Sequence, residues 1–333
     1  MHQEQEHDID AVITWVDGAD PAHQQRLAAF LAAQGGKRPS TANPTRFNDT
    51  GEIDYCVASI FRFAPWFRRI HIVTDGQKPA LLKKLEGTPY AGRVCIVDHR
   101  EIFAGFEQHL PTFNSRSIIS VLWRIPGLAE NFVYFNDDML LLMPVGAEDF
   151  FREGKIVLRG KWMPQSSYRL SRRVASWLKH RLGRKQEKVG NLDSQELSAR
   201  LAGFEKRFYR LYHNPYPMRV SVLRDFFAAR PELLASNVSY KLRSNDQFKA
   251  EAVATHLEIA QGGAILDNRL HVVQVKPATQ TRSRMARKLS RADRDERAAF
   301  VCVQSLDRAS ASVQQEIIDW LDRRIGRLSQ LLR

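Results

Sequence analysis

The sequence predicts an α/β protein built on a mainly parallel central sheet, and three observations predict it. Four β-rich apolar runs, Ile9–Val16, Arg69–Thr74, Val94–Val97 and Phe132–Phe135, are separated by segments with helical spacing, and strand–helix–strand alternation favours parallel pairing. The first three runs stop at Asp-containing turns, Asp17-Gly18, Asp75-Gly76 and Asp98-His99, and the fourth stops at Asn136-Asp137-Asp138. In a parallel sheet these turns line one edge, the carboxyl edge where open α/β sheets bind ligands.

Composition narrows the class. At 333 residues the chain is long for one domain but suits an elaborated α/β domain, and its 44% hydrophobic content supports a sizeable core. A net charge of +13 and a pI near 9.9 point to an anionic partner: a phosphate-rich substrate, nucleic acid or an acidic membrane surface. Cys56, Cys95 and Cys302 are widely spaced and form no metal motif, as expected in a reducing compartment. The acidic start is unlike a signal peptide, and no apolar run approaches the ~20 residues of a spanning helix. The expectation is a cytoplasmic protein, peripheral at most at the inner face of the membrane.

In chain order, Ile9–Val16 reads as the first strand. Gly18 lets backbone approach a ligand closely, and Asp20-Pro21 opens the helix Ala22–Ala33 as N-cap and first-turn proline. The segment Arg46–Glu52 is dense in charge and amides; either it is the acidic first turn of the helix Ile53–Phe63, or Arg46 faces a phosphate. Arg69–Thr74 is the second strand, Leu81–Leu85 a helix and Val94–Val97 the third strand. Asn114 or Ser115 caps a helix over Ser117–Arg124, whose free N-terminus would also favour an anion.

The stretch Phe132–Met143 organises the rest. Asp137 and Asp138 follow a buried strand, and unpaired carboxylates in a dry core cost several kcal/mol. Successive strand side chains point to opposite faces, so the two acids converge on one ion only if the backbone turns there. Oxygen ligands suit a hard cation such as Mg²⁺; the plainer alternative is a turn whose Asp residues cap backbone amides. Further on, Arg152–Arg210 is basic and reads as helical, with a dense run over Ser171–Lys188. A second basic run, Lys276–Arg297, precedes an amphipathic helix with Val313, Ile317, Trp320, Leu321, Ile325 and Leu328 on one stripe. The expected organisation is a core over 8–150, a basic helical insertion over 151–210, the remainder of the core over 211–280 and a C-terminal helical segment over 281–333.

An ordered set of motifs resembles the Stealth family of hexose-1-phosphoryltransferases, which includes bacterial capsule polymerases and the lysosomal-enzyme N-acetylglucosamine-1-phosphotransferase. The motifs are Ile13–Pro21, Arg46–Glu52, Ala64-Pro65-Trp66, Ile72–Gln77, Leu110–Ser115 and Tyr134–Met139, a dense match over Asp8–Pro144. Farther on, His213-Asn214-Pro215 and Arg243-Ser244-Asn245-Asp246 resemble the two ends of the family's third region. Phe300–Asp307 resembles the fourth region, with Gln304-Ser305 where many members carry Asn-Asp.

The resemblance implies a Rossmann-like, GT-A-like nucleotide-sugar-binding core. It also implies transfer of a hexose 1-phosphate from a UDP-sugar, by family habit UDP-N-acetylglucosamine, to a hydroxyl of a capsular-type polysaccharide, with release of UMP. Such chemistry requires charge neutralisation on phosphate, in-line positioning and a proton acceptor. The candidates are Asp137 and Asp138 for Mg²⁺ or Mn²⁺, with Asp17 completing the site. His213 is the general base, its imidazole pKa near ~6.5 suiting the task. Arg243 and Arg46 stabilise phosphate oxygens, and Asp246 orients Arg243 or His213. Gly18, Asp49, Asp75, Gln77, Asn114, Ser115 and Asn136 are the remaining candidate substrate contacts. Two alternatives stand beside this: a metal-dependent glycosyltransferase releasing UDP, and a nucleic-acid-binding protein, which the acids at strand ends and the lack of a nucleic-acid module disfavour.

Overall fold

The structure, a computed structural model, describes residues 8–168 and 190–332; the basic run over Ser171–Lys188 lies outside them. The central sheet has five strands in the order β10-β4-β1-β2-β3. β1 (Ile9–Thr14), β2 (Ile70–Thr74), β3 (Val94–Asp98) and β4 (Asn131–Asn136) run parallel, and β10 (Tyr216–Arg219) closes the β4 edge antiparallel. β1 and β2 are covered on both faces, which is why they read as continuous apolar runs rather than alternating ones. Helices α1 (Pro21–Ala33), α2 (Glu52–Phe63), α3 (Leu81–Leu85) and α4 (His99–Ile102) follow the strands. α2 buries Ile53, Cys56, Val57, Ala58, Ile60 and Phe61.

The turn at Asp137-Asp138 carries the chain out of this sheet. β5 (Met139–Leu141) belongs to a second sheet, β12-β13-β5, with β12 (His271–Val275) and β13 (Ala298–Val303) parallel to one another. Two smaller sheets, β11-β7-β6 and β8-β9, complete the strands, formed by β6 (Phe151–Arg152), β7 (Lys155–Leu158), β8 (Gly160–Pro164), β9 (Arg207–Leu211) and β11 (Ala264–Leu266).

Several expectations need correction. Residues 151–164 form strands, so among the described residues the helical reading of 151–210 holds only for α6 (Asn191–Leu201). The helix expected over Ser117–Arg124 is α5 (Ser115–Ile119) followed by a 3₁₀ turn, Leu122–Arg124, because the Asn114 side chain accepts from the Arg116 N–H (3.1 Å) and starts the helix earlier. Three more helices follow: α7 (Val220–Ala229), α8 (Pro231–Ser239) and α9 (Ala250–Ala260). The segment 281–333 holds α10 (Arg282–Arg294), then strand β13, then α11 (Ala311–Arg324) and α12 (Leu328–Leu331). The apolar stripe of α11 docks on the protein's own core, where Ile317, Trp320 and Leu321 are buried, followed by Ile325 just after the helix and Leu328 in α12. The three cysteines are free. Among the described residues, no helix is long and apolar enough to cross a membrane.

Candidate active site

A cleft of about 690 Å³ opens along the carboxyl edge of the parallel sheet. Its floor is the β4–β5 turn. The backbone turn resolves the geometric objection to the Asp pair: both carboxylates line one cleft because the chain changes sheets between them. β13 fastens this turn from behind. The Val303 N–H donates to the Asp138 carbonyl at 3.0 Å, and the Cys302 thiol donates to Asp138 Oδ2 at 3.3 Å. Asp138 Oδ1 is buried with no hydrogen-bond partner among the described residues.

The electrostatics of the floor are strained. Burial pushes the Asp138 carboxyl up to about 6, against the Cys302 hydrogen bond that lowers it. Burial, then repulsion from Asp138, Glu52 and Asp49, holds Asp137 well above the usual carboxylate range. Glu52, at the start of α2, is pushed up to about 7, chiefly by burial. A crowded set of half-buried acids with an unpartnered oxygen is what a divalent cation relieves, so Asp137 and Asp138 fit such an ion. Asp138, His213 and Cys302 also bring one ligand atom each within 4.8 Å of one another. The Cys302 thiol is pushed up by burial and by Asp138, so it serves as a hydrogen-bond donor.

His213 lies in the β9–β10 connection. Its pKa departs from the value expected from the sequence: burial, then the charges of Lys249, Lys276 and Arg243, pull it down to about 3. The imidazole is therefore neutral and able to accept a proton, but its charged form is favoured only when anionic groups offset the surrounding cations.

Arg243, Arg116 and Arg46 line the same cleft. Arg243 donates to Ser115 Oγ at 2.6 Å, and burial, then Arg46 and Arg116, pull its guanidinium down to about 10. Arg116 donates to the Ser244 carbonyl at 2.7 Å and is likewise lowered to about 10, first by burial. Arg46 is lowered by burial. Arg46 and Arg116 depress Arg243, Arg46 depresses Arg116, and none of the three has a carboxylate ion-pair partner among the described residues, an arrangement that suits an anionic ligand.

The other sequence candidates divide by position. Asp75, Asn114, Ser115 and Asn136 line the cleft. Asn114 is spent on scaffold: its amide donates to the Tyr240 carbonyl and to Gln247 Oε1 while its oxygen caps α5. Asp17, Gly18, Asp49, Gln77 and Asp246 are not among the cleft-lining residues. Gln77 clamps two strand-end loops, accepting from the Asp17 N–H and donating to the Asp17 carbonyl and Asp20 Oδ2. Asp17 accepts from the Ala19 N–H at Oδ1 and lies outside the cleft lining that holds Asp137 and Asp138. Asp49 accepts from Trp15 Nε1 and from the Gly51 and Glu52 N–H groups at the start of α2. Gly18 sits against the Phe47 carbonyl, where an added Cβ would be 2.7 Å away. Asp246 is exposed and accepts from Ser244 Oγ; Arg243 is oriented by Ser115 instead. In the fourth-region segment, Asp307 accepts from Thr45 Oγ1 (2.6 Å) and Asn48 Nδ2 (2.8 Å) and pins the 44–48 segment across the cleft.

Sequence reasoning missed Arg116, Lys249, Glu251, Lys276, His23, His99 and Thr112, all of which line the cleft. Three of them carry a local signal: His99 stands in the Asp98-His99 turn after β3, Thr112 lies inside the Leu110–Ser115 motif, and Lys276 opens the second basic run.

The fold and cleft define an α/β protein with a charged ligand site at the carboxyl edge of a parallel sheet. The chain carries two stretches of the Stealth family: residues 7–35 match Stealth protein CR1, conserved region 1, and residues 46–158 match Stealth protein CR2, conserved region 2. An exopolysaccharide phosphotransferase of Streptomyces coelicolor is 47% identical over 143 residues, covering 43% of this chain and 23% of that protein. A second one from that organism is 36% identical over 241 residues, covering 71% of this chain and 23% of its own length. The capsular polysaccharide phosphotransferase LcbA of Neisseria meningitidis is 40% identical over 148 residues, 44% of this chain and 39% of that one. The chain thus matches well under half of these relatives' length. The galactosyltransferase LgtC, solved with donor and acceptor sugar analogs, aligns over 95% of this chain and 96% of its own with 12% identity and a TM-score of 0.42.

Proposed function

We propose that the protein transfers a hexose 1-phosphate, an N-acetylhexosamine 1-phosphate, from a UDP-sugar to a hydroxyl of a growing capsular-type polysaccharide. The observation that carries this reading is the presence, in one cleft, of a crowded acidic turn and three arginines, Arg243 being depressed by the charges of Arg46 and Arg116. Such a cleft suits an anion that brings its own cation, as a pyrophosphate does. The names of the relatives, phosphotransferases for capsular and exopolysaccharides, agree with it.

Asp137 and Asp138 would hold a divalent cation, Mg²⁺ or Mn²⁺, which would supply charge neutralisation to the pyrophosphate. Arg243, Arg116 and Arg46 hold the phosphate oxygens and stabilise the charge developing on them. The acceptor hydroxyl oxygen attacks the β-phosphorus while the bond from that phosphorus to the bridging oxygen breaks, and UMP leaves with the electron pair. The hydroxyl proton passes to a ring nitrogen of His213, whose charged form is favoured once the bound anion offsets Lys249, Lys276 and Arg243. The product is a sugar–phosphodiester linkage. The exposed arginines of α10, Arg284, Arg287, Arg291 and Arg294, add a positive field for an anionic acceptor.

The test is product analysis with a panel of UDP-sugars, Mg²⁺ and a phosphate-bearing oligosaccharide. UMP release that disappears in folded Asp138→Asn and His213→Ala proteins is expected. UDP release instead would overturn the reaction type.

A further inference from the structure

Asp138, His213 and Cys302 come from three separate parts of the chain: the β4–β5 turn, the β9–β10 connection and strand β13. Each brings one ligand atom to within 4.8 Å of the other two. The Cys302 thiol already donates to Asp138 Oδ2 at 3.3 Å. A tetrahedral zinc ion, with bonds of about 2.0–2.3 Å, holds its ligand atoms about 3.4–3.6 Å apart. The sulfur–oxygen pair stands near that spacing, and the imidazole has to come at most about 1.2 Å closer.

The donor set departs from that of a hard-cation site. Mg²⁺ and Mn²⁺ favour oxygen ligands, which the Asp137-Asp138 turn supplies, whereas a thiolate and an imidazole suit softer ions. One sulfur, one nitrogen and one oxygen are ligands that Zn²⁺ takes together, and three protein ligands leave its fourth position open. Each of the three is ready for the task. Burial, then the neighbouring cations, keeps His213 neutral, the form that ligates a metal. Asp138 Oδ1 is buried with no hydrogen-bond partner among the described residues, so the carboxylate has an oxygen to spare. Cys302 is wholly buried, and the proposed transfer gives it no step.

Access and charge are compatible with an ion. Asp138 and His213 line the cleft, and Cys302 lies buried behind them. Lys249, Lys276 and Arg243 oppose a cation near His213, but Asp137 stands beside Asp138 and feels the charges of Glu52 and Asp49, so acids crowd the same place. Burial and Asp138 push the Cys302 thiol up; a bound dication displaces that proton to the buffer. The ion then takes the position between sulfur and carboxylate that the thiol proton occupies now.

We infer that Asp138, His213 and Cys302 form a mixed-ligand site for Zn²⁺, different in its donors from the hard-cation site at Asp137 and Asp138, and that Zn²⁺ held there switches transfer off. An imidazole whose lone pair is held by the ion has no basic nitrogen left, because its other ring nitrogen carries a proton. The switch rests on the transfer reading above; the binding does not.

Co²⁺ titration of the full chain, first stripped of metal, tests the binding. A thiolate-to-cobalt charge-transfer band in the near ultraviolet should appear, and Zn²⁺ should bleach it while a large excess of Mg²⁺ does not. In Cys302→Ser the band should be gone. In His213→Ala the Zn²⁺ affinity should fall about tenfold or more, at least the loss that follows removal of an outer-shell partner. No band, a band that survives Cys302→Ser, or full Zn²⁺ affinity in folded His213→Ala would overturn the site. Should the variants fail to fold, zinc-edge X-ray absorption of the wild-type protein decides alone: one sulfur at about 2.3 Å beside nitrogen and oxygen neighbours supports the site, and a shell without sulfur refutes it. UMP release from a UDP-sugar in Mg²⁺ tests the switch. Saturating Zn²⁺ should slow it about 10²-fold or more, the contribution of a general base, and a zinc-selective chelator should restore it. Zn²⁺ bound with the rate unchanged overturns the switch. If no UDP-sugar turns over in Mg²⁺, the transfer reading and the switch fall together, and the cobalt band still judges the site.

Discussion

Asp10→Asn is the substitution whose cost follows most directly from the structure. Asp10 is fully buried in β1, and its carboxylate accepts from five donors. Oδ1 takes Arg68 Nε (3.0 Å) and the Arg69 N–H (3.2 Å); Oδ2 takes Arg68 Nη2 (2.6 Å), His71 Nε2 (3.1 Å) and the Ala129 N–H (2.9 Å). Burial alone would raise this carboxyl, but hydrogen bonds from His71, Arg68 and Ala129 outweigh it and hold the group well below the usual carboxylate range. Asparagine keeps one accepting oxygen and turns an NH₂ toward two or three donors. Breaking a buried pair costs about 3–5 kcal/mol; the Arg68 side chain is 32% exposed and regains some hydration, so the expected loss is about 2–4 kcal/mol. The sign with pH is set by the depressed folded pKa. The stabilisation is fully present above the unfolded value near ~3.9 and is lost as pH falls below it. Urea unfolding of wild type and Asp10→Asn at pH 7 and in steps below pH 4 reads both quantities. A gap under about 1 kcal/mol at neutral pH, or one that does not narrow on acidification, would refute the reasoning.

Other outcomes follow from the cleft. Arg243→Ala should lower turnover about 10²–10³-fold, as removal of a charge-stabilising donor does. Asp246→Ala should change it less than about twofold, the result for a surface residue; steady-state rates compare the two. Mn²⁺ affinity, followed by electron paramagnetic resonance of the free ion, should fall as pH drops through about 6, where a proton competes for the Asp138 carboxylate. Asp138→Asn should bind the ion weakly across the range. Gly18→Ala places a Cβ 2.7 Å from the Phe47 carbonyl, and displacing that backbone should cost about 1–3 kcal/mol in thermal or urea unfolding.

Much of the fold was legible because it rests on local pattern. The β1–β4 runs are largely apolar and bounded by turn residues, so their type and rough limits could be read one segment at a time, and their Asp-bearing ends predicted where the cleft would lie. Asp137, Asp138, His213 and Arg243 were nameable from motif and residue chemistry. The roles of Asp49, Gln77, Asn114 and Asp246 were not. An amide or carboxylate near a loop serves a ligand or a backbone N–H according to what folds against it, and for Gln77 and Asn114 those partners lie on distant segments.

The sequence by itself determined the parallel α/β core, the acidic strand end and the basic character of the chain, since periodicity, side-chain type and net charge are local or additive properties. Only the tertiary structure decided that the β4–β5 turn switches sheets so that both aspartates line one cleft. It also decided that Arg116 joins Arg46 and Arg243, and that burial, together with the cations around it, pulls the His213 pKa down to about 3. Those outcomes depend on Coulomb and desolvation energies between groups far apart in the chain, and such energies have no value until the fold sets the distances and the local dielectric.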